Sequence, residues 1–160
     1  MLAFNSFFVA TGSNIGDRSL NLFLAKEALE KKFKLIAFSR IYESPAVDYL
    51  NQPDFYNQVL EFSLPSYSAD QTMSLLLNIE KELGRNRIIP KGPRLIDLDI
   101  LFWGLTEIQS PTLTIPHPRL FQRSFVVLPL SELPGFQILK ANYKFDFTFD
   151  NHAKALSSLT

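Results

Sequence analysis

Residues 55–102, FYNQVLEFSLPSYSADQTMSLLLNIEKELGRNRIIPKGPRLIDLDILF, decide the fold. Phe55 to Leu64 alternates loosely between apolar and polar side chains, as a half-buried strand does. Asp70 is placed to cap a helix whose apolar residues include Met73, Leu76, Leu77 and Leu83, and Gly84 is a natural stop. Arg85 to Arg94 holds a Pro-Lys-Gly-Pro cluster and predicts a mobile loop. Ile96 to Phe102 then predicts a strand carrying two aspartates.

The upstream half repeats this plan. Phe7-Phe8-Val9-Ala10-Thr11 is a β-prone run ending at Gly12-Ser13-Asn14. Asp17 can cap a helix in which Leu22, Ala25, Leu29 and Phe33 recur at helical spacing. Leu35 to Tyr42 suits a strand, and Glu43 to Pro53 a loop. The order is strand, helix, strand, strand, helix, strand: a split β-α-β sandwich of the α+β class. Helices should cover one face of a largely antiparallel sheet, leaving the other for loops and a site. Downstream, Pro111, Pro116 and Pro118 predict irregular chain, and Ser124 to Leu133 a short helix. Tyr143, Phe145, Phe147 and Phe149 alternate with Lys144, Asp146 and Thr148, predicting a strand whose aromatic face packs on the core.

The bulk numbers bound the function. A length of 160 residues favours one domain, 1–160, with its motifs in about 7–130 and an aromatic strand and tail at 141–160. Sixteen basic residues balance sixteen acidic ones, which argues against broad nucleic-acid binding. Cysteine is absent, so no disulfide framework or thiolate metal site exists, and a cytoplasmic location fits. The N-terminus lacks a signal-peptide pattern, and no apolar stretch is long enough to span a membrane.

The chemistry concentrates between Gly84 and Asp99. Arg85, Arg87, Lys91 and Arg94 form a cationic run with no acid among them, suited to a polyphosphate or simply to solvent. Asp97 and Asp99 are two apart on a strand, on one face and about 7 Å apart. That spacing suits magnesium, which takes few protein ligands and keeps waters and phosphate oxygens. Alone it is a common chance pattern. Directly after a cationic loop it supplies the parts that phosphoryl transfer needs. No P-loop, dinucleotide or kinase glycine motif is present. His117, between two prolines, either donates to a phosphate or ties down a loop. Phe55 is core or one face of a flat-ring pocket, with Asn57 beside it to read a heterocycle edge. Glu80, near the apolar helix face, needs a cation, and Arg85 or Arg87 is at hand.

These pieces resemble the 6-hydroxymethyl-7,8-dihydropterin pyrophosphokinase family. The matching segments are Gly12-Ser13-Asn14, Gln52-Pro53-Asp54-Phe55-Tyr56-Asn57, Gly84-Arg85-x-Arg87, Gly92-Pro93-Arg94-x-x-Asp97-Leu98-Asp99-Ile100, and Pro116-His117-Pro118-Arg119 with Arg123-x-Phe125. The resemblance implies a ferredoxin-like fold and transfer of the terminal pyrophosphoryl group of ATP to a pterin hydroxymethyl group. It implies two magnesium ions on Asp97 and Asp99, with Arg85 and Arg94 approaching the phosphates as the loop closes. Arg87, Lys91, Ile100, His117, Arg119 and Arg123 would bind the nucleotide. Phe55 and Phe125 would sandwich the pterin, and Asn57 with Ser44, Pro45, Ala46 and Val47 would read its edge. The expected partners are ATP and the pterin, with no nucleic acid or membrane, in a monomer compatible with fusion to other folate enzymes. A non-catalytic binding module would keep the pocket but would not need the second aspartate. A phosphohydrolase would not need the Phe55 and Phe125 pair.

Overall fold

The computed structural model describes residues 4–47, 51–85 and 92–156. Its central sheet is antiparallel throughout. Strand β1 (Ser6–Ser13) lies between β4 (Phe55–Ser63) and β5 (Asp97–Trp103). The far edge of β4 is shared by β2 (Leu35–Phe38) and β3 (Tyr42–Ser44). The single strand expected over residues 35–42 is therefore two. At the break, the Ser39 hydroxyl accepts from the Val59 amide at 3.0 Å, and Gln58 donates to the Ser39 carbonyl at 2.8 Å. β3 extends into the predicted loop.

Helices α1 (Arg18–Glu30) and α2 (Ala69–Glu82) cross between strands as the split β-α-β plan requires. Asp17 caps α1 by accepting from the Leu20 amide at 3.1 Å. For α2 the cap is Ser68 rather than the expected Asp70. Ser68 and Gln71 form a reciprocal capping box that satisfies two helix-end amides, and Asp70 falls in the first turn. Gly84 leaves α2 with a positive φ of 96°, the left-handed conformation that a side chain disfavours.

Two cores flank the sheet. Phe7, Val9, Leu60, Phe62, Leu98 and Ile100 point towards α1 and α2 and pack on Leu22, Leu29, Leu76 and Ile79. Phe8, Val59, Leu101 and Phe102 point the other way. That second face was expected to carry loops, and the structure corrects this. It is partly covered by α3 (Ser124–Leu130) and α4 (Phe136–Asn142), which contribute Val126, Leu130, Phe136 and Leu139. The intervening chain forms a small hairpin, β6 (Ile108–Gln109) with β7 (Thr114–Ile115), and a 3-10 turn at Leu120–Gln122.

Tyr143–Phe149 is not a strand. The segment is irregular and has no ladder partner, and the Thr148 amide turns back to the Asp146 carboxylate at 3.0 Å. Its rings hold it instead. Tyr143 lies 5.2 Å from Phe102, and Phe145 lies 4.9 Å from Phe136, centroid to centroid. The packing role predicted for the aromatic row holds for these two rings, whereas Phe147 stays exposed. Further on, β8 (Lys154–Ala155) pairs with β3. Among the described residues, no helix is long and apolar enough to cross a membrane.

A buried carboxylate ties α4 to the sheet. Glu61 accepts from the Ser6 hydroxyl at 2.8 Å and from the Gly135 amide at 2.9 Å. A Cβ at Gly135 would meet Glu61 Oε2 at 2.6 Å and Phe8 Cζ at 2.7 Å. Gly135→Ala is therefore expected to destabilise the fold by about 2–3 kcal/mol through overpacking, read as a lowered denaturant midpoint.

Candidate active site

A cleft of about 850 Å³, counting its open mouth, lies at one end of the sheet. Strand alternation builds its floor. On β5, Asp97, Asp99 and Leu101 line the cleft, while Leu98 and Ile100 face the helices. Ile100, expected at the nucleotide, is therefore a core residue, 2% exposed and packed in the helix-side cluster. β5 pairs with β1 so that Asp99 lies opposite Ala10 and Asp97 opposite Gly12.

The structure brings together most of the predicted site residues. Ser44, Pro45, Ala46, Val47, Phe55 and Asn57 line the cleft together with His117, Arg123 and Phe125. Asn57 donates to the Ser44 hydroxyl at 2.9 Å and the Tyr42 carbonyl at 3.3 Å. These bonds set the amide with its oxygen on the Gly12 side. His117 Nδ1 accepts from the Arg119 amide at 3.1 Å, which assigns the ring proton to Nε2 in the neutral form. Arg119 itself is exposed and lines a neighbouring pocket rather than this cleft. Arg87 and Lys91 lie outside the described residues.

Arg85 does not extend towards the open cleft. Its guanidinium bridges Glu80 at 3.0 Å and Asp97 at 2.6 Å, and its side chain is only 10% exposed. Glu80 is the anchor its sequence context required, with its second oxygen accepting from the Leu98 amide at 2.8 Å. Arg94 lines the cleft, its guanidinium 3.7 Å from Asp97 and 5.3 Å from the Phe55 ring centre.

Sequence reasoning gave Asn14 no role, yet it fastens the cleft rim. Its amide nitrogen donates to Gln52 Oε1 and to the Pro53 carbonyl, both at 2.9 Å. Its Oδ1 accepts from the Arg94 amide at 2.7 Å, and its own amide donates to the Arg94 carbonyl at 3.0 Å. Arg18 does similar work, binding Glu43 and the Asp54 carbonyl at 3.0 Å and stacking on Tyr56. The one available signal was an asparagine in a strand-ending turn, and that does not reveal its partners.

Asp99 is exposed to the cleft, yet desolvation by the protein around it, then the Asp97 and Glu80 carboxylates, push its carboxyl up, to about 7; Arg123 and Arg85 oppose this. Water entering the cleft reaches Asp99 and screens part of the effect. The sign for stability follows. Between the unfolded value of 3.8 and the folded value near 7, the native chain holds a proton that the unfolded chain has released. Stability is thus fully present below about 4 and falls as pH rises through 7. Chelator-treated protein should melt at a lower temperature at pH 8 than at pH 5, and Asp99→Asn should flatten that slope. An unchanged slope in the variant would refute the assignment.

A polyanion-binding metal fits these two acids. Among the described residues, no three His, Asp or Glu side chains form a ready-made metal cage. Two crowded carboxylates beside three arginines suit a cation that draws its other ligands from water and phosphate.

The profile of the 7,8-dihydro-6-hydroxymethylpterin-pyrophosphokinase (HPPK) family matches residues 8–135. The chain belongs to this family. Among similar proteins is a 2-amino-4-hydroxy-6-hydroxymethyldihydropteridine pyrophosphokinase of Bacillus subtilis. It is 39% identical over 131 residues, covering 81% of this chain and 78% of the relative. The folic acid synthesis protein fol1 of Pneumocystis carinii is 43% identical over 129 residues, covering 80% of this chain but only 17% of that longer protein. The bifunctional protein FolKE of Lactococcus lactis is 38% identical, and the match spans 36% of its length. HPPK sequences thus occur both alone and within longer folate proteins. The crystal structure of wild-type Plasmodium falciparum HPPK-DHPS with pteroate matches with a TM-score of 0.59 at 15% identity, covering 90% of this chain and 40% of that one. That likeness supports the ferredoxin-like fold of the HPPK domain.

Proposed function

We propose that this HPPK chain transfers the terminal pyrophosphoryl group of ATP to the hydroxymethyl group of 6-hydroxymethyl-7,8-dihydropterin, releasing AMP and the pterin diphosphate. The observation that carries the reading is one cleft lined by two phenylalanines, Phe55 and Phe125, together with Asp97, Asp99 and Arg94. The whole chain acts as one catalytic domain, and a cytoplasmic site of action fits its lack of cysteine.

Each residue has a role that its position supports. Phe55 and Phe125 hold the pterin from its two faces, and Asn57 reads its edge with the Ser44–Val47 segment. His117, donating through Nε2, and Arg123 hold phosphate oxygens of the nucleotide. Asp97 and Asp99 would hold magnesium, two ions in this reading, which would supply charge neutralisation for the phosphate chain. Arg94 places a further positive charge at the same end of the cleft. The hydroxyl attacks the β-phosphorus in line, so the protein's share is positioning and electrostatics rather than covalent chemistry.

The test is a product assay with ATP, magnesium and 6-hydroxymethyl-7,8-dihydropterin. AMP that forms only with the pterin, in equal amount to pterin diphosphate, is the expected result. ADP and phosphate without pterin dependence would overturn it in favour of a hydrolase. Pterin binding without turnover would overturn it in favour of a binding module.

A further inference from the structure

The C-terminal segment joins two stretches of the cleft lining. The α3 stretch begins at Arg123, whose backbone is extended, with φ −104° and ψ 108°, between the 3-10 turn and the helix. Arginine has no side-chain acceptor, so the Arg123 side chain does not cap α3. The acceptor arrives from 27 residues downstream. Asn151 Oδ1 accepts from the Ser124 amide at 2.8 Å and from the Ser124 hydroxyl, while its Nδ2 donates to the Gln122 carbonyl at 2.8 Å. One side chain therefore grips the backbone on both sides of Arg123, and Phe125 follows immediately.

Three residues later the same segment grips a second stretch of chain that leads into the cleft lining. Lys154 and Ala155 pair with Glu43 and Tyr42 on β3, and the Leu156 amide donates to the Ile41 carbonyl at 2.9 Å. β3 runs straight into Ser44 and the 45–47 segment, which line the cleft. Between the two grips, Asp150, Asn151 and His152 face Pro45–Val47 and Arg123 across a second, shallower pocket. This strap lies beyond the stretch matched by the family profile, which ends at residue 135.

We propose that Asn151 is a positioning residue for the pterin half of the site: it caps α3 from the C-terminal strap and so sets the spacing of Arg123 and Phe125 from the Ser44–Val47 segment. The inference rests on the pterin reading given above. Binding in a cleft depends on the spacing of the residues that line it, and a lost cap lets one stretch of the lining drift. Asn151 touches no substrate in this account; it acts through Ser124 and Gln122.

The experiment compares wild type, Asn151→Ala and Asn151→Asp for pterin affinity by fluorescence titration and for AMP release. Asn151→Ala should raise the pterin Kd and KM about tenfold. Asn151→Asp, which keeps the acceptor for Ser124 but loses the donor for Gln122, should lose less affinity than the alanine variant. An unchanged pterin Kd in the alanine variant overturns the proposal, whatever happens to the melting temperature. Equal losses in both variants also overturn it, because the cap acceptor would then not be what matters. Wild-type protein that binds pterin but makes no AMP would sink the catalytic reading while leaving this comparison in force. Wild type that binds no pterin would sink both.

Discussion

Alanine at Asp97 or at Asp99 is expected to lower the turnover number about a thousandfold or more, with the fold intact. The two variants should differ in other ways. Asp97 accepts from Arg85 at 2.6 Å and lies 3.7 Å from Arg94, so its loss releases two guanidinium groups from one partner. Arg85 keeps Glu80, which holds it against α2. Asp99 has no such ion pair among the described residues, and its charge is opposed by desolvation and by the neighbouring carboxylates. Asp99→Ala should therefore be as stable as wild type or more so at pH 8, yet equally inactive. Single-turnover AMP formation at saturating magnesium, beside thermal melts, separates these effects. Full activity in either variant would remove that carboxylate from the metal-binding reading.

The sheet and its two crossing helices were legible because their signals are local. Leu22, Ala25 and Leu29 repeat at helical spacing, and all three are buried. Asp97 and Asp99 share a face because strands alternate, and both line the cleft. The same rule, followed one residue further, would have put Ile100 in the core. Ser68 and Asp70 are both good cap residues, and the capping box with Gln71 decided between them. The aromatic tail misled for a different reason. Period-two alternation shows that one side of an extended chain is apolar, but not that an open edge awaits it. Tyr143 and Phe145 found ring partners on Phe102, Phe121 and Phe136 instead. Asn14 and Asn151 were not legible at all. Each binds groups that are close only after folding, between 27 and 80 residues away in the chain.

Glu80→Ala is expected to cost about 3–5 kcal/mol of stability. Glu80 is 2% exposed and serves two groups at once. Its Oε1 meets Arg85 at 3.0 Å, and its Oε2 accepts from the Leu98 amide at 2.8 Å. Alanine leaves a buried amide without its acceptor and a largely buried guanidinium with Asp97 as its remaining carboxylate partner. Glu80→Gln retains an oxygen for Leu98 but loses the charge, so about 1–3 kcal/mol is expected from it. Leu98 is the residue between Asp97 and Asp99, so a slack amide there loosens both acids together. Glu80→Gln should accordingly lower turnover and raise the magnesium concentration needed for half-maximal rate, while pterin affinity stays near that of the wild type. Denaturant titration measures the stability loss, and a magnesium titration of single-turnover rates measures the second effect. A glutamine variant with wild-type magnesium response would show that Glu80 holds up the fold without orienting the acids.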